Sequence, residues 1–302
     1  MAELVDEHGD WEQGNKFSLN VAKHFASMLS DDYRVIIKYD NKPTPYYFDK
    51  LKNIEFALSR ETHAKPTSFS RDDIHAIFQN YFMLDKWGDG ISNPLAFPLP
   101  IGTFVDFDDA PEVKPLPERK YDFSFIGQLP HTGTRDCFKK NMDNMFKEIS
   151  SNKFNYFLEY TDGFNEGLST KEYLELLNDS KIVLCPPGAY SLETFRFFEA
   201  VKMGAIPMVE GLPKFWYYLN APFVYSKWQK LDKHLSMSLN FLNSSESRGV
   251  FMSVAQYNNT VLNEKALAKY LTKRLEDRES LSDEEFDKQL RVSREATKEY
   301  DH

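Results

Sequence analysis

Residues 180–211 read SKIVLCPPGAYSLETFRFFEAVKMGAIPMVEG. KIVLC is a short apolar, β-branched run ending at Cys185, and Pro186-Pro187-Gly188 turns the chain behind it. LETFRFFEAVKM then places apolar residues at helical spacing up to Gly204, and AIPMV is a second short apolar strand. Strand, turn, helix and strand in this order make a βαβ unit, which implies a parallel sheet. Ser191 is the expected helix N-cap, with Thr194 three residues on. The amino end of that helix, with unpaired N–H groups and the positive end of the dipole, suits an anion such as a diphosphate. Arg196 and Glu199 lie three apart and project from one side of the helix. A guanidinium there can grip phosphate oxygens, and a carboxylate can accept both hydroxyls of a ribose. An ordinary ion pair on a solvated helix has the same spacing, so the pair acquires meaning only from its surroundings.

Working outward, strand and helix keep alternating. YDFSFIGQ (121–128) and FNYFLEY (154–160) read as strands, and a helix runs through RDCFKKNMDNMFKEISS between them. TKEYLELLNDS (170–180) is helical, and PFVYSKW (222–228) extends the alternation. In the first third, NKFSLNVAKHFASML (15–29) is helical, and RVIIKYD (34–40), IEFALS (54–59) and IHAIFQNYF (74–82) are strands, with a helical piece expected at PYYFDKLKN. LAFPLPIG (95–102) carries two prolines that confine it to a sheet edge or a loop. Residues 106–120 are Pro-rich and charged. The expected domains are therefore 1–110, a linker at 111–120, 121–262, and a charged helical tail at 263–302 with a solvated face. The fold class is α/β, two Rossmann-like units facing a cleft, with ligands at the carboxyl ends of the strands.

Composition narrows the function. The chain has 302 residues, 41% hydrophobic and 27% charged, as in ordinary globular proteins. A net charge of −9 offers no footprint for nucleic acid, and two cysteines are too few for a disulfide framework or a Cys-rich zinc site. The amino terminus MAELVDEHGDWEQGNK has no signal-peptide core, and no run reaches the ~20 apolar residues of a membrane span. A soluble, cytoplasmic protein without membrane insertion is expected. Aromatics make up 15% of the chain, which fits a Phe-rich core or a platform for sugars and bases.

Cys185-Pro186, Gly188, Arg196, Glu199-Ala200, Gly204 and Ile206-Pro207 together resemble the signature of exostosin-type glycosyltransferases. PFVYSKWQKL is similar to the segment after that signature in the family, and YDFSFIGQ with Arg135 behind it is similar to the opening of the family's donor domain. FALSRET, FQNYF and PLPIG are weaker landmarks. The likeness spans residues 54–231, and its specific part is 180–211; Pro187 and Thr194-Phe195 depart from the pattern. It implies the GT-B arrangement with a nucleotide sugar on the second domain. Carried onto this chain, Glu199 binds the ribose and Arg196 and Arg135 neutralise the diphosphate, with Gly127 and the backbone at 189–192 touching it; Pro187, Gly188, Tyr190 and Ser191 are counted with the site, and His131, by its place after the YDFSFIG strand, is a candidate for the diphosphate or sugar. The family inverts the anomeric carbon and uses no metal or other cofactor. The compact size and Lys/Asp/Asn/Phe-rich composition are similar to those of soluble exostosin-like enzymes of large algal viruses, β-xylosyltransferases among them. That likeness implies a bacterial or virus-encoded enzyme and UDP-xylose as donor.

Inverting transfer needs a general base from the first domain. RETHAKPTSFSRDD (60–73) offers Asp73 first and Glu61 second, with His63, Asp72 and the more distant Asp40 behind them. Asp106-Phe107-Asp108 matches the short DxD motif of metal-dependent transferases, but a Pro-rich acidic linker supplies such a triplet by chance. No histidine pair has metal-ligand spacing. Trp11, Tyr81 and Trp87 are candidates for a sugar-stacking platform. The expected function is inverting, metal-independent transfer of a sugar from a UDP-sugar to the hydroxyl of an oligosaccharide or glycoprotein glycan. The alternatives are a GDP-sugar transferase of fucosyltransferase type and a non-catalytic glycan-binding protein.

Overall fold

The computed structural model of the chain describes residues 1–7, 16–39, 46–47, 49–58, 73–80, 95–128, 133–148, 153–163, 166–188, 192–213, 215–282 and 285. The first unit contains β1 (Glu3–Glu7), α1 (Lys16–Met28), β2 (Tyr33–Tyr39), β3 (Lys52–Leu58), β4 (Ile74–Gln79) and β5 (Leu95–Pro98). Its strands lie parallel in the order β1-β2-β3-β4-β5. Strand alternation sends Val35, Ile37, Ile54, Phe56, Ala76 and Phe78 to one face, where they share a core with Phe17, Val21 and Phe25 of α1. Phe25 sits edge-on to Phe56 and Phe78 at 5.3 and 5.2 Å. The opposite face carries a buried ion pair, Lys38 to Glu55 at 3.4 Å.

One expectation fails here, and one strand carries no signal in the sequence. β1 forms within the acidic amino terminus, where a short edge strand needs only the backbone bonds of β2 and shows little apolar period. The helix expected at PYYFDKLKN is absent from its described residues, which are irregular until β3 begins at Lys52. Arg34 explains the difference: its guanidinium pairs with Asp49 and lies 4.0 Å over the Tyr47 ring, drawing this segment onto the sheet. β5 is an edge strand, as its prolines require.

The second unit is built from β6 (Tyr121–Gln128), α2 (Gly133–Glu148), β7 (Tyr156–Thr161), α3 (Thr170–Asn178), β8 (Ser180–Leu184), α4 (Phe195–Lys202), β9 (Ile206–Val209) and β10 (Val224–Tyr225). Its parallel strands run in the order β10-β9-β8-β6-β7, so the winding reverses between β6 and β8. Such a switch point opens a crevice at the carboxyl ends of the two strands. α5 (Leu231–Leu242) and α6 (Arg248–Thr260) complete the unit.

The domain limits differ from the expected ones. Ile101 and Leu116 belong to the second core, with Val105, Phe107 and Ala110 against it. Arg119 is buried and donates to the carbonyls of Lys114, Leu177, Ser180 and Met203. Burial lowers its pKa to about 10. Gly204 (φ +71°) leaves the space it uses, since a Cβ there would stand 2.7 Å from Arg119 Nη2. Residues 101–120 are thus a packed strap on the second domain, and the passage between domains lies just after β5.

The expected solvated tail is corrected too. α7 (Glu264–Ser280) returns to the first domain, where Leu267, Ala268, Leu271 and Leu275 join the core beside α1. These residues share one helix face, so the charge of the segment belongs to the other. Leu271→Ala should cost about 2–5 kcal/mol, read as a lower denaturation midpoint, whereas Lys273→Ala on the exposed side should change stability by less than about 0.5 kcal/mol. A neutral Leu271→Ala would show that α7 does not stabilise this domain.

Candidate functional site

The β6/β8 switch point is occupied by two guanidiniums. Arg196, near the start of α4, donates Nη2 to the Ile126 carbonyl at 2.6 Å and lies 4.6 Å over the Phe125 ring. Its Nε and Nη1 are buried and have no hydrogen-bond partner among the described residues. Arg135, on α2, donates Nε to the Pro187 carbonyl at 2.7 Å and Nη1 to the Gln128 carbonyl. It therefore ties the carboxyl end of β6 to the turn after β8. Burial, together with the neighbouring Arg196 charge, lowers its pKa to about 10. Two guanidiniums held close together on backbone carbonyls make a local concentration of positive charge, an arrangement whose chemistry suits an anion.

Gly127 makes this possible. Its φ is +147°, and a Cβ would stand 2.3 Å from Arg196 Nη2. The glycine is a seat for the arginine, a role that the sequence resemblance did not suggest. Pro187 contributes its carbonyl to Arg135, and Gly188 comes next, half-buried at the end of the described turn. Cys185 is buried as a thiol with its pKa pushed up to about 12 by desolvation. The helix begins at Phe195, later than expected, with Thr194 rather than Ser191 at the N-cap and no side-chain cap bond. His131, Tyr190, Ser191, Glu61, His63, Asp72, Asp40, Trp11, Tyr81 and Trp87 lie outside the described residues.

Glu199 shares the cavity with Arg196, as their three-residue spacing requires. It is 3% exposed. Oε1 accepts the backbone N–H groups of Phe104 (2.9 Å) and Val105 (3.3 Å), and Oε2 accepts the Tyr173 hydroxyl (2.7 Å). Desolvation raises its pKa, opposed by Tyr173, the two amides and Arg196. A carboxylate accepts about four hydrogen bonds, and three are taken. Two ribose hydroxyls cannot both bind here while the strap amides stay in place. Tyr173 and the strap residues 104–105 had no signal in the sequence, because only folding brings them to α4.

The described cavity around Arg135, Arg196 and Glu199 measures about 120 Å³, below the roughly 300–1,000 Å³ of ligand pockets. Phe104 and Val105 form one wall, with Gln128, Thr161, Thr170 and Tyr173 opposite. Asp73 is not among its walls. It precedes β4, so it stands at the amino edge of the first sheet, beside Asn53, which donates to its carbonyl. In a parallel sheet that edge is opposite to the carboxyl ends, and the expectation that Asp73 lines the cleft is corrected on this ground. Asp106 and Asp108 are both paired with Lys16 of α1. No group of three or more metal-ligating side chains occurs among the described residues. No helix among them is long and apolar enough to cross a membrane.

Residues 107–215 match the family model of the RXYLT1 C-terminal domain, which is of xylosyltransferase type. The match covers about a third of the chain. No curated protein gives a significant match to the sequence. Among solved structures, the chain is similar to TarM at 12% identity over 85% of this chain and 57% of that one, with a TM-score of 0.48. It is similar to the pneumococcal O-GlcNAc transferase GtfA, solved with UDP and GlcNAc, at 10% identity over 87% and 60%, with a TM-score of 0.44. An α-glucosyltransferase in complex with UDP is 11% identical over 87% of this chain and 97% of that one, with a TM-score of 0.42. The chain spans less than two thirds of the length of the first two, and likeness at these scores carries no functional argument.

The site's geometry predicts two outcomes. Gly127→Ala should destabilise the protein by about 1–3 kcal/mol, and much of that loss should vanish when Arg196→Ala is also present. Additive losses in this cycle would mean that Gly127 is not the seat of Arg196. Glu193, buried just before α4, accepts the hydroxyls of Tyr217 (2.7 Å) and Tyr218 (3.2 Å). Burial pushes its carboxyl from 4.5 up to about 7, against those two hydrogen bonds. The folded chain then keeps a proton that the unfolded chain releases, so stability declines from about pH 4.5 to about pH 7 and stays lowered above. Glu193→Gln should therefore raise Tm at pH 8 and bring little gain at pH 4; an equal shift at both would refute the raised carboxyl.

Proposed function

We propose that the protein is a metal-independent, inverting glycosyltransferase that takes a sugar from a UDP-sugar, with xylose as the sugar. The observation that carries this reading is the pair Arg135 and Arg196 at the β6/β8 switch point, with Arg196 Nε and Nη1 buried and without a partner among the described residues. A diphosphate would supply their acceptors. The xylosyltransferase-type family match over 107–215 supports the sugar.

In this reading the acceptor hydroxyl of a glycan attacks the anomeric carbon from the side opposite the diphosphate. The bond from that carbon to the β-phosphate oxygen breaks, and its electron pair leaves with UDP. Arg196 and Arg135 stabilise the charge that grows on the phosphate, the role a metal takes in other transferases. Asp106 and Asp108, held by Lys16, are assigned to interdomain pairing. The hydroxyl proton passes to a carboxylate of the first domain. Glu61 takes that role in place of Asp73, since it comes three residues after the carboxyl end of β3 in the chain. Glu199 meets the ribose once Phe104 and Val105 move off its Oε1, and the same shift enlarges the cavity.

Calorimetric titration with UDP tests the site: Arg196→Ala should weaken binding about 10- to 100-fold. Stabilisation by GDP-sugars alone would overturn the donor assignment. Glycan binding without any nucleotide binding would instead favour a non-catalytic protein. Transfer should persist in EDTA. Full loss restored by Mn²⁺, with Asp106→Asn inactive, would sink metal independence. Glu61→Gln should slow transfer by about 10²–10⁴-fold with UDP affinity kept, while Asp73→Asn should leave the rate unchanged.

A further inference from the structure

Three consecutive aromatics, Trp216-Tyr217-Tyr218, form a single 3₁₀ turn after β9. Their side chains serve two different domains. Trp216 donates Nε1–H to the Pro98 carbonyl at 2.9 Å, at the carboxyl end of β5, and stacks on Phe97 with centroids 5.6 Å apart. It also contacts Tyr270 of α7 at 4.6 Å. Trp216 packs against the hydrophobic cores of both domains. Tyr217 and Tyr218 point the other way, into the second core. Both hydroxyls donate to Glu193, and the Tyr218 ring lies edge-on to Phe197 of α4 at 5.1 Å.

Glu193 stands one residue before the N-cap of α4 and three before Arg196. The turn therefore has one end on the carboxyl edge of the first sheet and the other at the root of the helix that aims Arg196 and Glu199. A 3₁₀ turn is short and hydrogen-bonded across its own length, here from Tyr218 N–H to Phe215 carbonyl and from Leu219 N–H to Trp216 carbonyl. Displacement of its tryptophan is passed to its tyrosines with little to absorb it. Tyr218 is packed against Phe197 and Phe198, and both tyrosines hold Glu193, while Trp216 and Tyr217 also line a cavity of about 980 Å³, so the coupling runs through the Glu193 and Phe197 contacts.

We propose that the Trp216–Tyr218 turn is the clasp through which the first domain positions the α4 root, with Trp216 and Glu193 as positioning residues at its two ends. The donor-binding consequence rests on the reading of Arg196 as a diphosphate ligand; the mechanical coupling does not. When the first domain shifts relative to the second, the turn carries the shift to the segment that sets the guanidinium and the carboxylate. The structure thereby joins acceptor-side motion to donor-side geometry without a residue that touches either substrate.

Hydrogen exchange on the ligand-free full-length chain tests the coupling directly. Trp216→Phe keeps an aromatic ring and removes the N–H donated to Pro98. It should speed exchange in residues 192–199 by about 5-fold, the factor expected for loss of one neutral hydrogen bond. Tyr217→Phe should do the same from the other end, and the double variant should add little to either single one. Exchange that rises only around 215–218, or additive effects of the two substitutions, would overturn the clasp. If Trp216→Phe does not fold, Tyr217→Phe alone decides by whether exchange spreads to β5. UDP titration of the same proteins is the separate arm: the variants should lose about 5-fold in UDP affinity, with KM for the donor rising more than kcat falls. If the variants show the exchange pattern while the wild-type protein binds no UDP, the donor reading falls and the clasp stands.

Discussion

A buried carboxylate with three hydrogen-bond donors around it holds the centre of this molecule. Glu199 joins α4 to α3 through Tyr173 and to the interdomain strap through the amides of Phe104 and Val105. An ionised carboxylate removed from water is expensive unless it is satisfied, and these donors satisfy it. The neighbouring Arg196 adds a favourable charge, itself held by the Ile126 carbonyl and admitted by Gly127. Removing any one of these partners leaves another buried polar group exposed to an apolar environment. The local arrangement is therefore mutually dependent, and it is built where the chain reverses its winding.

That dependence has a functional side. A carboxylate nearly saturated by two backbone amides and a tyrosine hydroxyl cannot take two ligand hydroxyls without giving some of these donors up. The strap that carries the two amides is the passage between domains, packed on the second core by Ile101 and Leu116 and fixed at its far end by Arg119. α7 and the Trp216 turn hold the first domain from other sides.

Much of the second domain was legible in the sequence. YDFSFIGQ, TKEYLELLN and KIVLC have strong period and clear punctuation, and each forms the expected element. Ser169 and Glu172 form a full capping box that sharpens the start of α3. The first domain is less legible. β1 lacks an apolar alternation because it is an edge, and the segment before β3 is shaped by Arg34 rather than by its own propensity. α7 reads as solvated because its charges outnumber the four apolar residues that matter.

The pairing of Arg196 with Glu199 on one helix face is set by sequence spacing alone, since three residues in a helix bring side chains together whatever surrounds them. The same holds for the parallel α/β class, which local periodicity and turn residues impose. The surroundings of that helix were decided only by tertiary structure. Pro187 and Gln128 meet at Arg135, Phe104 and Val105 reach Glu199, and Asp73 is carried to the far edge of its sheet. These relations join residues distant in the chain through strand order and domain packing, and no local pattern encodes strand order.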